Sequence, residues 1–511
     1  MSLAQFAVDR MAARRLRAMV HASENPVETQ ARVLRDLLRA GARTKWGREH
    51  GYADLRSGDD YRSRVPTSTY EEMKPWWERN FTGERDVTWP GHVKYFALSS
   101  GTTSGNKLLP VSRENLRSNR TSGLSVLALF LDLTGDTSFM SGKSLYLAGS
   151  APLREEGHSR VGDASGIMLK FTPKLAQRYR LPDPAIASLG NWTEKMRRIV
   201  ETSIDHDVRM VSACPSWGVL LFEELVAEAM RRMGVQIENV AEIWPRFRGC
   251  VHFGMAWQPY RKAFDRLLGP DALHMDTWSA SEGGMFSITD RRDHDDMLLV
   301  LDNGIYFEFI PFDQIEDERP DRVGIESVRE GEVYEVVLTT NSGIWAYRLG
   351  DLVRFTSTDP HRILMVGRSK MNLNAFGEHV IIEEMERAVG DACRDLGAEA
   401  GEFTVAPVFP EAKDEKPYHR WLIEFRQAPN DLGRFGEVLD RSIRENNEDY
   451  DTHRTDDYGM APPRIEVLGA GTFYRWMERR GKLGGQHKIP RVLREPSMSD
   501  ELLELSASGA D

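Results

Sequence analysis

Short apolar runs typical of β-strands alternate with helical patterns along most of this chain. In the first part, the strand-like runs lie at residues 208–213, 250–254, 305–311, 332–340 and 352–356. A clear helix follows Pro215, because a broad apolar face extends from Val219 to Met233 before Gly234 offers a stop. Strands that alternate with helices predict an α/β core in which helices cover a sheet.

The pattern changes near residue 367, where a predicted strand at 362–366 ends in Gly367-Arg368-Ser369-Lys370. Beyond this point we predict strands at 403–408, 419–426 and 464–468, and helices at 432–446 and 473–480. The chain is therefore expected to form a large α/β domain with mixed sheets and helices at 1–367 and a smaller α+β domain at 368–511. A hinge is expected near Ser369.

Composition and charge exclude several classes of function. The formal net charge of −11 argues against a general binder of nucleic acids or acidic membranes, so we predict neither partner. No apolar run reaches the ~18 residues that suggest a membrane-spanning helix. Cys214, Cys250 and Cys393 lie far apart without zinc-site spacing, which favours a reducing compartment and hence the cytoplasm. The arginine- and alanine-rich start is interpreted as a surface helix, not a transit peptide.

The segment 99–107 is the strongest local signal for ligand binding. Its sequence is Ser99-Ser100-Gly101-Thr102-Thr103-Ser104-Gly105-Asn106-Lys107, directly after a predicted strand at 95–98. Small residues let a backbone wrap round phosphate, and the hydroxyls and the lysine charge add to such a site. It is not a Walker loop, because Asn106 precedes the lysine and Leu108 follows it. Composition alone leaves open a flexible surface loop.

A second segment, at residues 276–284, combines an aromatic residue with a carboxylate among small residues. Trp278 is suited to stack on a nucleotide base. Glu282 is suited to hold a magnesium ion, a hard cation that prefers oxygen ligands. A turn with a solvated glutamate is the alternative.

A third segment has the sequence Tyr347-Arg348-Leu349-Gly350-Asp351. A carboxylate in a tight turn between two strands can accept hydrogen bonds from both ribose hydroxyls, each contributing roughly 1.5–3 kcal/mol. An ordinary hairpin turn is the alternative, since Gly-Asp is a natural choice there.

The order of these three segments resembles that of the adenylate-forming superfamily of acyl-CoA ligases, luciferases and peptide-synthetase adenylation domains. More narrowly, the chain resembles the Gretchen Hagen family of acyl acid amido synthetases, from about residue 60 to residue 491. The segments that carry this resemblance are Val65-Pro66-Thr67, Tyr70-Glu71-Glu72-Met73-Lys74-Pro75, Phe96-Ala97-Leu98-Ser99-Ser100-Gly101-Thr102, Trp278-Ser279-Ala280-Ser281-Glu282, Tyr347-Arg348-Leu349-Gly350-Asp351 and Gln486-His487-Lys488-Ile489-Pro490-Arg491.

The resemblance implies an adenylate-forming N-terminal domain, a mobile C-terminal lid domain, and a ligase that uses ATP and magnesium. Such an enzyme adenylates a small carboxylic acid, releases pyrophosphate, and transfers the acyl group to an amino acid or another amine, with AMP as product. The implied catalytic residues are Lys107, Glu282 and Lys488, with Glu282 also on magnesium. The implied nucleotide contacts are Ser99, Ser100, Thr102, Thr103, Gly254, Ala256, Trp278, Ser281, Asp351 and Arg368.

The acid-binding pocket is less readable from the sequence. Arg117, Ser216 and Trp217 are the candidate contacts, and the alternative is that they only pack or face water. Two departures from the family pattern are Trp278 in place of the usual tyrosine and the position of Lys107 in the loop, which follows the spacing of the wider superfamily and is one residue shorter than in many plant members. With the short chain, they fit a bacterial branch of the family. An acyl-CoA ligase, an adenylate donor to a carrier protein, and a binding protein without catalysis remain the rival functions.

Overall fold

A computed structural model describes most of the chain and divides it into two compact units, Met1–Leu364 and Met365–Asp511. The described residues are 3–101, 105–136, 138–147, 153–172, 174–189, 191–255, 257–269, 271–369, 373, 378, 380–408, 416–447, 450–451, 454, 460–483, 488–493 and 496–508. Mixed sheets covered by helices confirm the predicted α/β fold class.

The strands are named in chain order. They are β1 (Tyr95–Gly101), β2 (Gly105–Val111), β3 (Lys143–Leu147), β4 (Arg154–Glu156), β5 (Ser159–Asp163), β6 (Arg180–Leu181), β7 (Val208–Ala213), β8 (Gly249–Phe253), β9 (Leu273–Ala280), β10 (Gly284–Ile288), β11 (Met297–Leu299), β12 (Ile305–Pro311), β13 (Val333–Thr340), β14 (Ile344–Thr358), β15 (His361–Arg368), β16 (Glu399–Val408), β17 (Tyr418–Gln427) and β18 (Arg464–Leu468).

The α-helices are likewise named in chain order. They are α1 (Leu3–Glu24), α2 (Pro26–Gly41), α3 (Lys45–Glu49), α4 (Gly58–Arg64), α5 (Tyr70–Glu78), α6 (Arg113–Thr134), α7 (Ala164–Lys170), α8 (Lys174–Gln177), α9 (Pro184–Ala187), α10 (Trp192–Ser203), α11 (Pro215–Met233), α12 (Val240–Ile243), α13 (Arg261–Leu268), α14 (Ile382–Leu396), α15 (Leu432–Asn446), α16 (Thr472–Arg479) and α17 (Pro496–Ala507).

The main sheet has the strand order β12-β13-β14-β15-β11-β10-β9-β8-β7-β3-β6 within the described residues. Its β9-β8-β7-β3-β6 part is parallel. On one face, Leu145 and Leu147 of β3 share a core with Phe222 and Leu225 of α11. On the other face, hydrophobic residues of β8, β9 and β10 share a core with α6 and α1. The carboxyl ends of parallel strands are where ligands bind in such sheets, so the ends of β3, β7, β8 and β9 are the places to search.

A smaller sheet with the order β2-β1-β5-β4 presents the segment that the sequence predicted to bind phosphate. Strands β1 and β2 form an antiparallel hairpin in which Ser99 lies opposite Lys107. The same β1 is parallel to β5, with Leu98 opposite Asp163. The glycine-rich segment is thus largely the two arms of a hairpin, and residues 102–104 at its tip lie outside the described residues.

The prediction of a tight turn at Asp351 is wrong. Asp351 lies inside the single strand β14, which continues from Ile344 to Thr358. Gly350 has a φ of +80°, and the register between β13 and β14 shifts next to it. The strand therefore has a local irregularity at this glycine but continues past it. A positive φ favours glycine, which explains the glycine before the carboxylate.

The second unit is built around a sheet with the order β16-β17-β18. Strands β16 and β17 are antiparallel, whereas β17 and β18 are parallel. Helices α14 and α15 contribute Met385, Val389, Phe435 and Leu439 to the core beside this sheet. The hinge near Ser369 stays a prediction. No helix in the described part of the chain is long and apolar enough to cross a membrane.

A fully buried arginine fixes the segment that leads from α6 into β3. Arg209 of β7 is 0% exposed and its guanidinium contacts Asp136 at 3.1 Å and Asp207 at 3.0 Å. It also donates to the hydroxyls of Ser138, at 3.0 Å, and Ser141, at 2.9 Å. Asp136 is buried, and Arg209 is its nearer cation, so loss of Arg209 leaves a buried carboxylate poorly compensated.

We expect Arg209→Met to lower the free energy of unfolding by about 3–5 kcal/mol. Arg246→Met is the matched control, because Arg246 also contacts Asp207, at 2.8 Å, but is 58% exposed. An exposed pair contributes only about 0–1 kcal/mol. Urea denaturation followed by tryptophan fluorescence measures both variants, and equal losses would contradict the structural role of Arg209.

Candidate active site

Lys107 extends from β2 toward two tyrosine rings. Its Nζ donates a hydrogen bond to the Tyr347 hydroxyl at 3.3 Å. The same ammonium lies 5.4 Å from the centre of the Tyr70 ring, within the range of a cation–π contact. The Tyr70 hydroxyl in turn accepts a hydrogen bond from the Leu108 amide at 3.0 Å. The loop lysine is therefore held by side chains from α5 and β14.

The hydroxyl of Tyr347 lies close to the predicted metal and ribose ligands. Tyr347 is 1% exposed. Burial raises the pKa of its phenol well above the usual value, and the negative charges of Glu282 and Asp351 raise it further. The phenol therefore stays neutral, with Lys107 in hydrogen-bond contact and the charges of Glu282, Glu71 and Asp351 acting on it.

A short backbone pairing holds the strand that carries Tyr347. The Ser68 amide donates to the Ala346 carbonyl at 2.8 Å, and the Arg348 amide donates to the Ser68 carbonyl at 2.9 Å. Ser68 precedes α5, the helix that begins with Tyr70. This pairing joins the segment around Ser68 to the segment at 347–351. Together the two segments place Tyr70 and Tyr347 beside Lys107. Both tyrosines lie in the sequence motifs, but the sequence alone predicted no role for either.

Asp351 is oriented by the indole of Trp278. The Trp278 Nε1 donates to Asp351 Oδ2 at 2.9 Å, and both side chains are buried. The Trp278 ring packs edge-on against Phe286, with centroids 4.6 Å apart. The indole N–H is thus committed to the predicted ribose ligand, while a contact between Trp278 and adenine stays a prediction.

Glu282 lies in the turn between β9 and β10, and α6 fixes that turn. Glu282 is 7% exposed, and its backbone carbonyl accepts from the Thr340 hydroxyl at 3.3 Å. The Asn115 amide of α6 donates to the next carbonyl, that of Gly283, at 2.9 Å. Ser281, a predicted nucleotide contact, is half-buried in the same turn. Helix α6 therefore positions the carboxylate through its buried asparagine.

The structure also brings together two groups of predicted residues at the ends of β7 and β8. Gly254 follows β8 with a φ of +89°. The Ser216 hydroxyl, at the start of α11, lies 3.8 Å from the sulfur of Met255. Trp217 packs edge-on against Trp192, with centroids 4.8 Å apart. The predicted acid contacts therefore border the segment predicted to lie beside adenine.

Other predicted residues lie apart from this group or outside the described residues. The Arg117 side chain is 72% exposed and contacts Glu114 of the same helix at 3.4 Å. Ser99 is half-buried near the end of β1. Thr102, Thr103 and Ala256 lie outside the described residues, as does the side chain of Ser100. Their predicted roles stay predictions.

In the second unit, the segment that carries Lys488 is clamped onto β16. The Thr404 hydroxyl donates to the Pro490 carbonyl at 2.6 Å. Arg491 is 6% exposed and contacts Glu386 at 3.2 Å and Glu402 at 2.8 Å. Lys488 itself is exposed. Arg491 is a buried anchor that sequence reasoning placed in a motif without a role. Arg368 is half-buried in β15.

The described residues contain no group of three or more His, Cys, Asp or Glu side chains that could hold a metal ion by themselves. Magnesium often binds through only one or two carboxylates and completes its octahedral shell with water and substrate phosphates. A buried Glu282 beside Lys107 fits that kind of site.

Sequence models of three GH3 family domains match the chain. The N-terminal domain matches residues 15–186, the central domain residues 298–368 and the C-terminal domain residues 383–497. The chain is 22% identical to the indole-3-acetic acid-amido synthetase GH3.3 of Arabidopsis thaliana, over 94% of this chain and 91% of that protein.

Two solved structures show the likeness in fold. The AtGH3.15 acyl acid amido synthetase in complex with 2,4-DB has a TM-score of 0.80 at 18% identity, over 96% of each chain. A 2-hydroxyisobutyryl-CoA ligase, in the postadenylation state with 2-HIB-AMP, has a TM-score of 0.56 at 15% identity, over 97% of this chain and 93% of that chain.

We expect Trp278→Phe to lower the free energy of unfolding by roughly 1.5–3 kcal/mol, because Phe keeps a ring against Phe286 but removes the donor to a buried carboxylate. The measurement is a double-mutant cycle with Asp351→Ala in urea denaturation. A coupling energy of about 1 kcal/mol or more supports the contact, and additive losses would show that it contributes nothing.

Proposed function

The chain belongs to the GH3 family, and on that premise we propose that it is an ATP-dependent acyl acid amido synthetase. The observation that supports this most directly is the hydrogen bond from Lys107 to the buried Tyr347 hydroxyl, on which the charges of Glu282 and Asp351 also act. A cation and carboxylates at the edge of a glycine-rich hairpin match the needs of an adenylate-forming site. The substrates are a small carboxylic acid, ATP and an amino acid or another amine.

The first half-reaction overcomes the poor reactivity of a carboxylate. A carboxylate oxygen attacks the α-phosphorus of ATP. The bond from this phosphorus to the oxygen that bridges to the β-phosphate breaks, and pyrophosphate leaves. Lys107 offsets the negative charge that develops on the phosphates, together with the hydroxyls of segment 99–103. Asp351, oriented by Trp278, accepts hydrogen bonds from the ribose hydroxyls. The product is a mixed anhydride, the acyl-adenylate.

Magnesium is the proposed metal partner, and Glu282 is its proposed protein ligand. When bound, the ion supplies neutralising charge at the phosphates. Glu282 is suited because its carboxylate is buried and its turn is fixed by Asn115 and Thr340. Lys488 is proposed to add a second positive charge during adenylation, and Arg491 holds its segment in place.

In the second half-reaction, the amine attacks the acyl carbon, the bond from that carbon to the AMP oxygen breaks, and AMP leaves. The amine loses one proton as the amide forms. We propose that the reaction takes place in the cytoplasm. The three cysteines are buried and no disulfide joins them, which suits a reducing compartment.

The test begins with pyrophosphate release over a panel of indole, benzoate, phenylacetate and fatty acids with ATP and magnesium. Acids that release pyrophosphate are then incubated with amino acids or with coenzyme A, and the products are identified by mass spectrometry. Amide formation supports the proposal. An acyl-CoA product without any amide would reject the amido synthetase assignment but keep adenylation. No pyrophosphate release with any acid would reject adenylation itself.

We expect Asp351→Ala to raise the KM for ATP about 10- to 100-fold, because charged hydrogen bonds contribute roughly 1.5–3 kcal/mol. Asp359→Ala is the matched control, since Asp359 is an exposed aspartate immediately after the same strand, β14. Initial rates of pyrophosphate release at varied ATP concentration give the KM of each variant. An unchanged KM in Asp351→Ala would show that the ribose lies elsewhere.

We expect Lys488→Ala to lower kcat for adenylation about 100-fold or more, as loss of a preorganised charge does elsewhere. Lys482→Ala is the control, because Lys482 is an exposed lysine six residues earlier in the same unit. Pyrophosphate release in a single turnover isolates this step. Equal rates in the two variants would remove Lys488 from the adenylation machinery.

A further inference from the structure

Arg180 is a half-buried cation that has no anionic partner among the described residues. It lies in β6, the strand beside β3 at the edge of the main sheet, with Ser144 as its neighbour in the ladder. Its guanidinium carbon stands 4.5 Å from the centre of the Tyr146 ring. Among the described residues, no carboxylate or carbonyl accepts a hydrogen bond from this guanidinium. Burial lowers its pKa, which reflects the cost of holding the charge there.

Aromatic rings connect Arg180 to the candidate active site. Tyr146 stacks on Phe253, with centroids 5.5 Å apart and planes at 26°. The two rings meet across β7, where Tyr146 lies opposite the small Ser212. Phe253 immediately precedes Gly254, the residue assigned to the nucleotide. The row from Arg180 through Tyr146 to Phe253 therefore leads from the sheet edge to the proposed adenylate.

A second buried cation lies close to Arg180. Lys195 of α10 is 2% exposed. The pKa of its ammonium is lowered to about 8, mainly because the group is buried. The negative charge of Asp163 raises this pKa, and the positive charge of Arg180 lowers it. Asp163 ends β5 beside Leu98, one residue before Ser99. The neighbourhood thus holds two cations and one carboxylate, and it adjoins the strand that leads into the proposed phosphate segment.

A further donor without an acceptor lies in the same neighbourhood. The Trp192 ring centre is 5.7 Å from the Lys195 Nζ. Its indole N–H is buried and has no hydrogen-bond partner among the described residues. Buried polar groups normally find partners, so each exception calls for an explanation. A bound acceptor could take a hydrogen bond from the Arg180 guanidinium or from this indole.

We propose that Arg180, with Lys195 behind it, forms an anion subsite that binds a carboxylate other than the one that is adenylated. The carboxylate belongs either to the far end of a dicarboxylic acyl acid or to the amino acid acceptor, and this assignment rests on the proposed function. A planar guanidinium suits a carboxylate because it donates two parallel hydrogen bonds. An entirely apolar acid without a second carboxylate would leave the cation facing hydrocarbon, at a large desolvation cost.

The test uses Arg180→Met, with Arg178→Met as the matched control, because Arg178 is exposed two residues earlier. Arg180→Lys is the conservative variant. Since Arg180 has no hydrogen-bonding or anionic partner within the described residues and Met can still pack on Tyr146, Arg180→Met should change the unfolding midpoint much less than Arg209→Met does. A large drop in the midpoint would show that Arg180 is a structural residue and would overturn the proposal.

Two kinetic arms distinguish the sources of the carboxylate. The first compares pyrophosphate release with suberate and with octanoate, acids of equal length that differ in one carboxylate. The second compares transfer from preformed acyl-adenylate to alanine and to alaninamide, which lacks the carboxylate. A rise in KM of about 10-fold or more, for suberate alone or for alanine alone, supports the subsite and names its ligand. Arg180→Lys should recover part of the loss.

Unchanged constants in both arms would overturn the subsite while leaving the proposed function intact. If the wild-type enzyme releases no pyrophosphate with any acid, the proposed function fails instead. Calorimetric titration of suberate and of alanine into wild-type protein and Arg180→Met then decides the subsite directly. Equal binding, or no binding, to the two proteins would overturn it, and binding that is lost in the variant would support it.

Discussion

The hydrogen bond from Lys107 to the buried hydroxyl of Tyr347 links the elements that form the candidate active site. Lys107 belongs to the small sheet, whereas Tyr347 belongs to β14 of the main sheet. Tyr70 closes the contact from α5, and Ser68 ties that helix back to β14 through two backbone hydrogen bonds. Three regions far apart in the sequence thus meet at one ammonium group, and the phosphate segment gains a fixed cation.

The net charge around Tyr347 and the net charge around Tyr146 have opposite signs. The Tyr347 hydroxyl contacts Lys107 and feels the charges of Glu282, Glu71 and Asp351, so negative charge prevails around it. The proposed magnesium ion would add positive charge there. Arg180 lies over Tyr146, and the charges of Arg180 and Asp163 both act on the buried Lys195, where the proposed subsite adds an anion. The first unit therefore contains two differently charged groups. The group around Tyr347 suits the proposed metal and phosphates, and the group around Tyr146 suits the proposed carboxylate.

Motifs predicted well what depends on local chemistry. The strands at 305–311 and 464–468 and the helix at 432–446 have the predicted bounds, because strong periodicity and clear stops define them. The family resemblance is confirmed by three matching domains. The turn predicted at Asp351 is wrong, because Gly-Asp reads as a hairpin until the neighbouring strand is known. Arg180 gave no signal, since a basic residue beside a tyrosine resembles any amphipathic surface.

The sequence by itself determined the α/β class, the family and the residue types that bind a nucleotide, because these follow from periodicity and from motifs of fixed spacing. Only the tertiary structure decided which side chains meet. It placed the Trp278 indole on Asp351, Asn115 under the Glu282 turn, and Arg180 over Tyr146. These contacts join residues separated by tens to hundreds of positions, and burial sets their strength. Both the separation in space and the loss of water arise only when the chain has folded.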